Sequence, residues 1–280
     1  MTTTQIIATV SPNVGVNRAA QRRRRRRLLV TATQIGVVVL ALGAWQVGAD
    51  ADLINTFFFS SPVQIWEKLV RWAGDGTLLS NTLVSLYEAF LGFIISVVLA
   101  IPIGMFLARS TFWDAVSRPF IDMANATPRF ALAPLFVIMF GLGSMMKIAL
   151  VFTVVFFIVL INTIAGVKAV EEDFVRLGRI SGATRGALFM KVIIPAAGGY
   201  ILAGLRLAVP YALAGAVVGE MLSGSSGLGY LVANQSGLLI LSGVYAAVLV
   251  LALLGWALNS LVNFAVSKTP WAHSGSRSSS

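Results

Sequence analysis

The chain has 280 residues, of which 57% are hydrophobic and only 11% charged, too few charges to cover the surface of a soluble domain. The class is therefore polytopic membrane protein. The net charge of +10 is gathered in a few segments and does not imply nucleic acid, while the lack of cysteine and the single histidine, His273, exclude disulfides, iron–sulfur clusters and thiolate metal sites.

Residues 1–27 read as a disordered basic N-terminus, polar at first and closing on six arginines, Arg22 to Arg27. The apolar run 28–48 is long enough to cross a bilayer, with its basic end held in the cytoplasm. A secretory or twin-arginine signal would need a shorter core and a better cleavage site than Val47-Gly48-Ala49. Residues 49–77 form an outer segment. In it Ser61-Pro62 opens a short amphipathic helix with Ile65, Trp66, Leu69 and Trp72 on one side and Glu67, Lys68 and Arg71 on the other.

The second span is 78–108. Asn81, Ser85 and Glu88 lie near its outer end at helical spacings. Glu88 stands among apolar neighbours: it faces a partner or water inside the membrane, or it is solvated at the interface. Residues 109–118 read as a short inner loop, and 120–143 as a third span kinked at Pro128 and Pro134. A tight outer turn at 144–147, which includes Lys147, leads to the fourth span, 148–167. A long polar loop, 168–199, precedes the fifth span, 200–222, which contains Arg206, Pro210, Glu220 and a G-x-x-x-G face at Gly215 and Gly219. An outer loop with a short helical stretch follows. Its Gly227-Leu228-Gly229 is no nucleotide loop, because no strand precedes it. The sixth span is 241–266, and 267–280 is a serine-rich tail. Lysine and arginine crowd the segments assigned inside and are sparse outside, which places both termini and the 168–199 loop in the cytoplasm.

That loop is too long for a simple turn. Phe174, Leu177 and Ser181 share one helical face, and Gly182 then breaks the run. Thr184 can cap a second helix, whose apolar edge is Leu188, Phe189 and Val192 and which Pro195 ends. The expected shape is a helix, a glycine elbow and a second helix at the membrane surface. On shape alone it is either an ordinary positive loop or a docking element for a soluble partner.

Ser181-Gly182-Ala183-Thr184, Leu188-Phe189, Val192-Ile193-Ile194-Pro195 and Tyr200 to Arg206 resemble the signature loop of ABC importer permeases, roughly E-A-A, a glycine, then I-x-L-P. Asn125 to Arg129, Ala131 to Phe136 and Phe140 to Gly143 are also similar to that family, nearest its nitrate, sulfonate, taurine and bicarbonate branch. Arg176-Leu177-Gly178 stand where Glu-Ala-Ala is usual, which removes the salt bridge of the usual glutamate but keeps the elbow. The resemblance implies an all-α type I importer permease fold with six transmembrane helices. It implies that the loop is a coupling helix seated on an ATPase subunit, with Arg176, Arg179, Ser181, Gly182, Ala183, Thr184, Leu188, Phe189 and Pro195 as coupling residues. It further implies a homodimer, two ATPase subunits and an extracytoplasmic solute-binding protein that carries most of the specificity.

The chemistry of the residues agrees with a passive role. No G-x-x-x-x-G-K-[ST] occurs and no catalytic triad can be assembled, so the chain is expected to be non-catalytic and to bind no cofactor of its own, with ATP and magnesium held by a partner. Glu88, Arg129, Arg206 and Glu220 are candidate pore or gate residues, unless they are helix-end charges that snorkel to the interface. The rival readings are an autonomous secondary transporter or channel, for which no internal repeat is visible, and a membrane enzyme, for which no catalytic cluster exists.

Overall fold

Inside lipid a helix satisfies every backbone N–H and C=O without help, so long apolar runs become helices. The computed structural model describes residues 13–170, 177 and 180–268. Among the described residues the α-helices are α1 (Asn13–Asp50), α2 (Thr56–Phe59), α3 (Pro62–Gly74), α4 (Thr77–Arg109), α5 (Thr111–Ala126), α6 (Ala133–Phe140), α7 (Ser144–Lys168), α8 (Arg185–Leu188), α9 (Ile194–Ser223), α10 (Leu228–Gly237) and α11 (Leu241–Ser267). Five helices are long and apolar enough to cross a membrane, and the bent pair α5–α6 makes a sixth if it counts as one span.

The chain divides into two compact units, residues 1–64 and 65–280. In the first, the described helix runs from Asn13 through the arginines, where the sequence is expected to be disordered up to residue 27. Arginine is a strong helix former, and adding residues to an existing helix is far easier than starting one. After α1 the chain turns back on itself. The Ile54 N–H donates to the Gly48 carbonyl at 2.9 Å, the Asn55 side chain caps α2, and the Val63 N–H reaches the Gln46 side chain at 3.2 Å.

In the second unit α7 is the central element. Val151, Val155 and Val159 are fully buried between α4 on one side and α9 on the other. Helices approach this closely in a membrane only where side chains are small. A Cβ on Gly92 or Gly104 of α4 would lie 2.6 Å or 2.9 Å from Val151 or Thr163 of α7. A Cβ on Gly204 of α9 would lie 2.6 Å from Asn162, and Gly215 and Gly219 press against Val151 and Lys147. These pairings give the directions: α4 runs parallel to α7, and α9 antiparallel. The start of α4 is set outside the span, where the Thr77 hydroxyl and N–H hold the Asp75 carboxyl below the ordinary carboxylate range.

The stretch between α4 and α7 differs from its expected form. The inner loop 109–118 is mostly helix, because Ser110 caps α5 through the Trp113 N–H and Asp114 sits in its first turn. The kinked span expected at 120–143 takes the form of α5, a 3₁₀ turn (Arg129–Leu132) and α6, bent by 84° where Pro128 stands. Thr127, before Pro128, is extended, as a pre-proline residue prefers, and that ends α5. Pro134 makes no kink; it starts α6, where its missing N–H is not needed.

Candidate functional site

The segment after α7 is built around Gly182. Its φ is +76°, in the left-handed region, and a Cβ there would meet no atom within 4 Å. Glycine is thus required by the backbone and not by crowding. The turn before it closes on Ser181, whose hydroxyl and N–H both donate to the Leu177 carbonyl, at 2.9 and 3.0 Å. Leu177 and Ile180 stand 60% and 77% exposed beside the elbow. Ala183 is half-buried, and the Thr184 hydroxyl accepts from the Ala187 N–H at 3.3 Å to cap α8. Leu188 is buried. Arg176 and Arg179 lie outside the described residues.

The second helix of the loop does not stop at Pro195. Residues Phe189–Ile193 form a π turn, in which the Ile194 N–H bonds back to the Phe189 carbonyl five residues away, and Pro195 then opens α9. The wider turn places proline where no donor is required, so the elbow's helix continues into the span. The Arg109 guanidinium, at the end of α4, lies over the Phe189 ring at 4.2 Å. The loop is thereby tied to α4 as well as to α9.

At the other end of the bundle Glu88 and Glu220 meet. Both are fully buried. Lys147, from the first turn of α7, donates to Glu88 Oε1 at 2.9 Å and to the Ser226 carbonyl at 3.2 Å. Three consecutive N–H groups at the start of α10 are satisfied in turn: Gly227 by Asn81 Oδ1 at 2.8 Å, Leu228 by Ser85 Oγ at 2.8 Å and Gly229 by Glu220 Oε2 at 2.7 Å. The cap that Gly227 cannot supply to its own helix comes from α4 and α9. A Cβ on Gly227 would collide with the Glu220 carboxyl. Within one chain these two acids therefore face packed interior.

Arg129 and Arg206 lie apart from that cluster. Arg129 Nη2 donates to Asn125 Oδ1 at 2.8 Å, and its guanidinium lies 5.0 Å from the Phe157 ring centre. Arg206 is half-buried on α9. The Nε atoms of both are buried without a hydrogen-bond partner among the described residues.

Residues 100–267 match the family of binding-protein-dependent transport system inner membrane components. This chain belongs to that family. It is 31% identical over 243 residues to the taurine transport system permease protein TauC of Escherichia coli K12, covering 85% of this chain and 88% of that one. It is 34% identical over 219 residues to the formylaminopyrimidine transport permease protein ThiX of Halalkalibacterium halodurans, covering 71% and 88%. Its fold is similar to the inward-facing MetNI methionine ABC transporter, with a TM-score of 0.58 at 16% identity over 74% of this chain and 98% of that chain. A solved amino acid ABC transporter gives 0.58 at 19% identity, over 71% and 95%. The chain is thus a multi-pass membrane permease component with the ABC importer permease fold.

In this permease the residue that sequence reading misplaced is Lys147. Placed by the sequence in an outer turn, it is 1% exposed and joins Glu88 to the loop before α10. A signal was present: an acid within an apolar run needs a cation, and Lys147 adjoins the outer end of an apolar span.

Proposed function

We propose that this permease is the membrane subunit of an ATP-driven importer, moved by separate ATPase subunits that grip the Gly182 elbow. The observation that carries the reading is the elbow itself. It presents exposed Leu177 and Ile180 outside the spans, as a docking surface would, on a turn whose following helix, α8, runs on into α9 and is stacked on α4 through Phe189. A displacement at the elbow would then tilt α4, α7 and α9 together. The chain is non-catalytic in this reading, and ATP and magnesium belong to the partner. Arg109, Arg118 and Lys168 gather at the elbow end of the bundle, which supports a cytosolic position for it. Two copies enclose the solute path, and an extracytoplasmic binding protein delivers a small solute such as taurine or a related sulfonate. Glu88 and Glu220 are assigned to holding the outer end together, leaving Arg129 and Arg206 as the pore candidates.

The test replaces Gly182 with tryptophan. Any side chain there strains a φ of +76°, and the indole enlarges the docking face. ATP-driven uptake falls by more than roughly tenfold, the rate equivalent of about 1.4 kcal/mol, while membrane insertion is kept. Normal uptake would remove the elbow from the mechanism.

A further inference from the structure

One face of α5 is polar along its whole length. Asp114, Arg118, Asp122 and Asn125 follow one another at steps of four, four and three, so they share one side of the helix, and Arg129 continues the line past its end. This face borders α7. Lys168 pairs with Asp114 at one end, and Arg129 lies over Phe157 at the other. Phe157 and Lys168 are eleven residues apart on α7, so the polar line climbs about 16 Å along a spanning helix. The hydrocarbon core is about 30 Å thick, so the line reaches the middle of the membrane. Polar groups at that depth border a partner or a water-filled path.

Between α5 and α7 the same residues line a cavity of about 270 Å³. Its walls are Asp114, Arg118, Asp122 and Asn125 from α5, with Ile164 and Lys168 from α7. Asp114 is neutralised by Lys168. Arg118 and Asp122 have neither an ion pair nor a hydrogen bond from their side chains among the described residues. Four residues apart on a helix, their Cβ atoms are about 6 Å from each other.

We propose that this cavity is the inner solute site of the permease, and that it takes a small zwitterion: an oxyanion on Arg118 and an ammonium on Asp122. The proposal rests on the permease reading and adds a substrate class to it. A simple anion meets Arg118 but is repelled by Asp122, and a simple amine meets the reverse. An uncharged solute desolvates both and repays neither. A molecule bearing both charges a few bonds apart matches both, and guanidinium is well shaped for sulfonate or carboxylate oxygens. The volume lies just under the roughly 300 Å³ at which drug-sized pockets begin, which suits a small amino acid. Of the two relatives, this favours a taurine-like solute over a formylaminopyrimidine-like one.

The chain has no cysteine, so an introduced thiol is its only one. Asn125→Cys and Ile121→Cys report on the cavity face, and Met123→Cys on the opposite face of α5. Each variant is expressed in the cells that supply the chain's own partners. Inside-out vesicles are treated with a charged, membrane-impermeant maleimide, and labelling is read on this chain. Thiols at 125 and 121 label, whereas the thiol at 123 labels roughly tenfold more slowly, because apolar surroundings suppress the thiolate. Taurine at about ten times its Kd slows labelling at 125 by about tenfold. Ethanesulfonate, which lacks the amine, protects far less, and Asp122→Asn in the Asn125→Cys background removes the difference. Equal labelling on both faces, or no protection by taurine, overturns the site. Equal protection by ethanesulfonate overturns the zwitterion. ATP-driven uptake in whole cells reads the permease assignment separately: uptake that persists beside an unprotected thiol sinks the site alone.

Discussion

Lys147 sits against the Glu88 carboxylate in a place where neither water nor lipid can solvate it. It shields Glu88 directly and holds the Ser226 carbonyl, so one ammonium anchors α4, α7 and the loop leading to α10. Pairs of this kind contribute little over an apolar replacement, yet losing one member is costly, because the other charge stays buried. Lys147→Met should therefore lower the unfolding midpoint of the detergent-solubilised protein by on the order of 10 °C, from a loss of about 3 to 5 kcal/mol. Adding Glu88→Gln to that variant should restore most of the loss. Scanning fluorimetry of the single and double variants checks it; equal losses would mean that the cluster is held by its helix-capping bonds and not by charge.

Among elements, the link between the loop and the bundle is the informative one. If the elbow drives the spans, the Arg109 guanidinium on Phe189 is one of two attachments, the other being the covalent run into α9. Arg109→Ala should leave ATPase activity in place and lower uptake per ATP by roughly three- to tenfold, since an exposed-to-buried cation–π contact is worth about 0.5 to 2 kcal/mol. Parallel assays of uptake and hydrolysis in proteoliposomes decide this; a proportional fall in both would move Arg109 into assembly. The spans themselves were legible in the sequence, because runs such as 148–167 admit no other structure in lipid. So was the Gly215–Gly219 face, which packs on α7. The kink expected at Pro128 is there as the 84° bend, whereas Pro134 and Pro195 depart from their expected roles for a shared reason. Pro128, Pro134 and Pro195 each lie at a boundary between helical pieces, where a proline begins or separates helices, and the sequence does not say which neighbour supplies the boundary. The polar face of α5 was hidden because its first residues were taken for a loop, which broke the period at Arg118.

At the scale of the whole molecule, the direction of the helices decides how many times the chain crosses. Gly92 of α4 meets Val151 and Gly104 meets Thr163, so α4 and α7 point the same way. Two parallel spans joined in sequence need a return crossing between them. The bent pair α5–α6 is the only chain available for it, despite its 84° break. Its first half descends beside α7, from Lys168 at Asp114 to Phe157 at Arg129, which is the course a returning segment must take. Six crossings, were α1 one of them, would put residues 13 and 268 on one side of the membrane; five would put them on opposite sides. Reporter fusions at residue 13 and after residue 268 should therefore give the same signal, active for a cytosolic reporter and silent for a periplasmic or external one, as the arginine run before Leu28 also requires. Opposite signals at the two ends would make α5–α6 a re-entrant hairpin. The polar face of α5 would then lie at one membrane surface, and the inner solute site would have no membrane to cross.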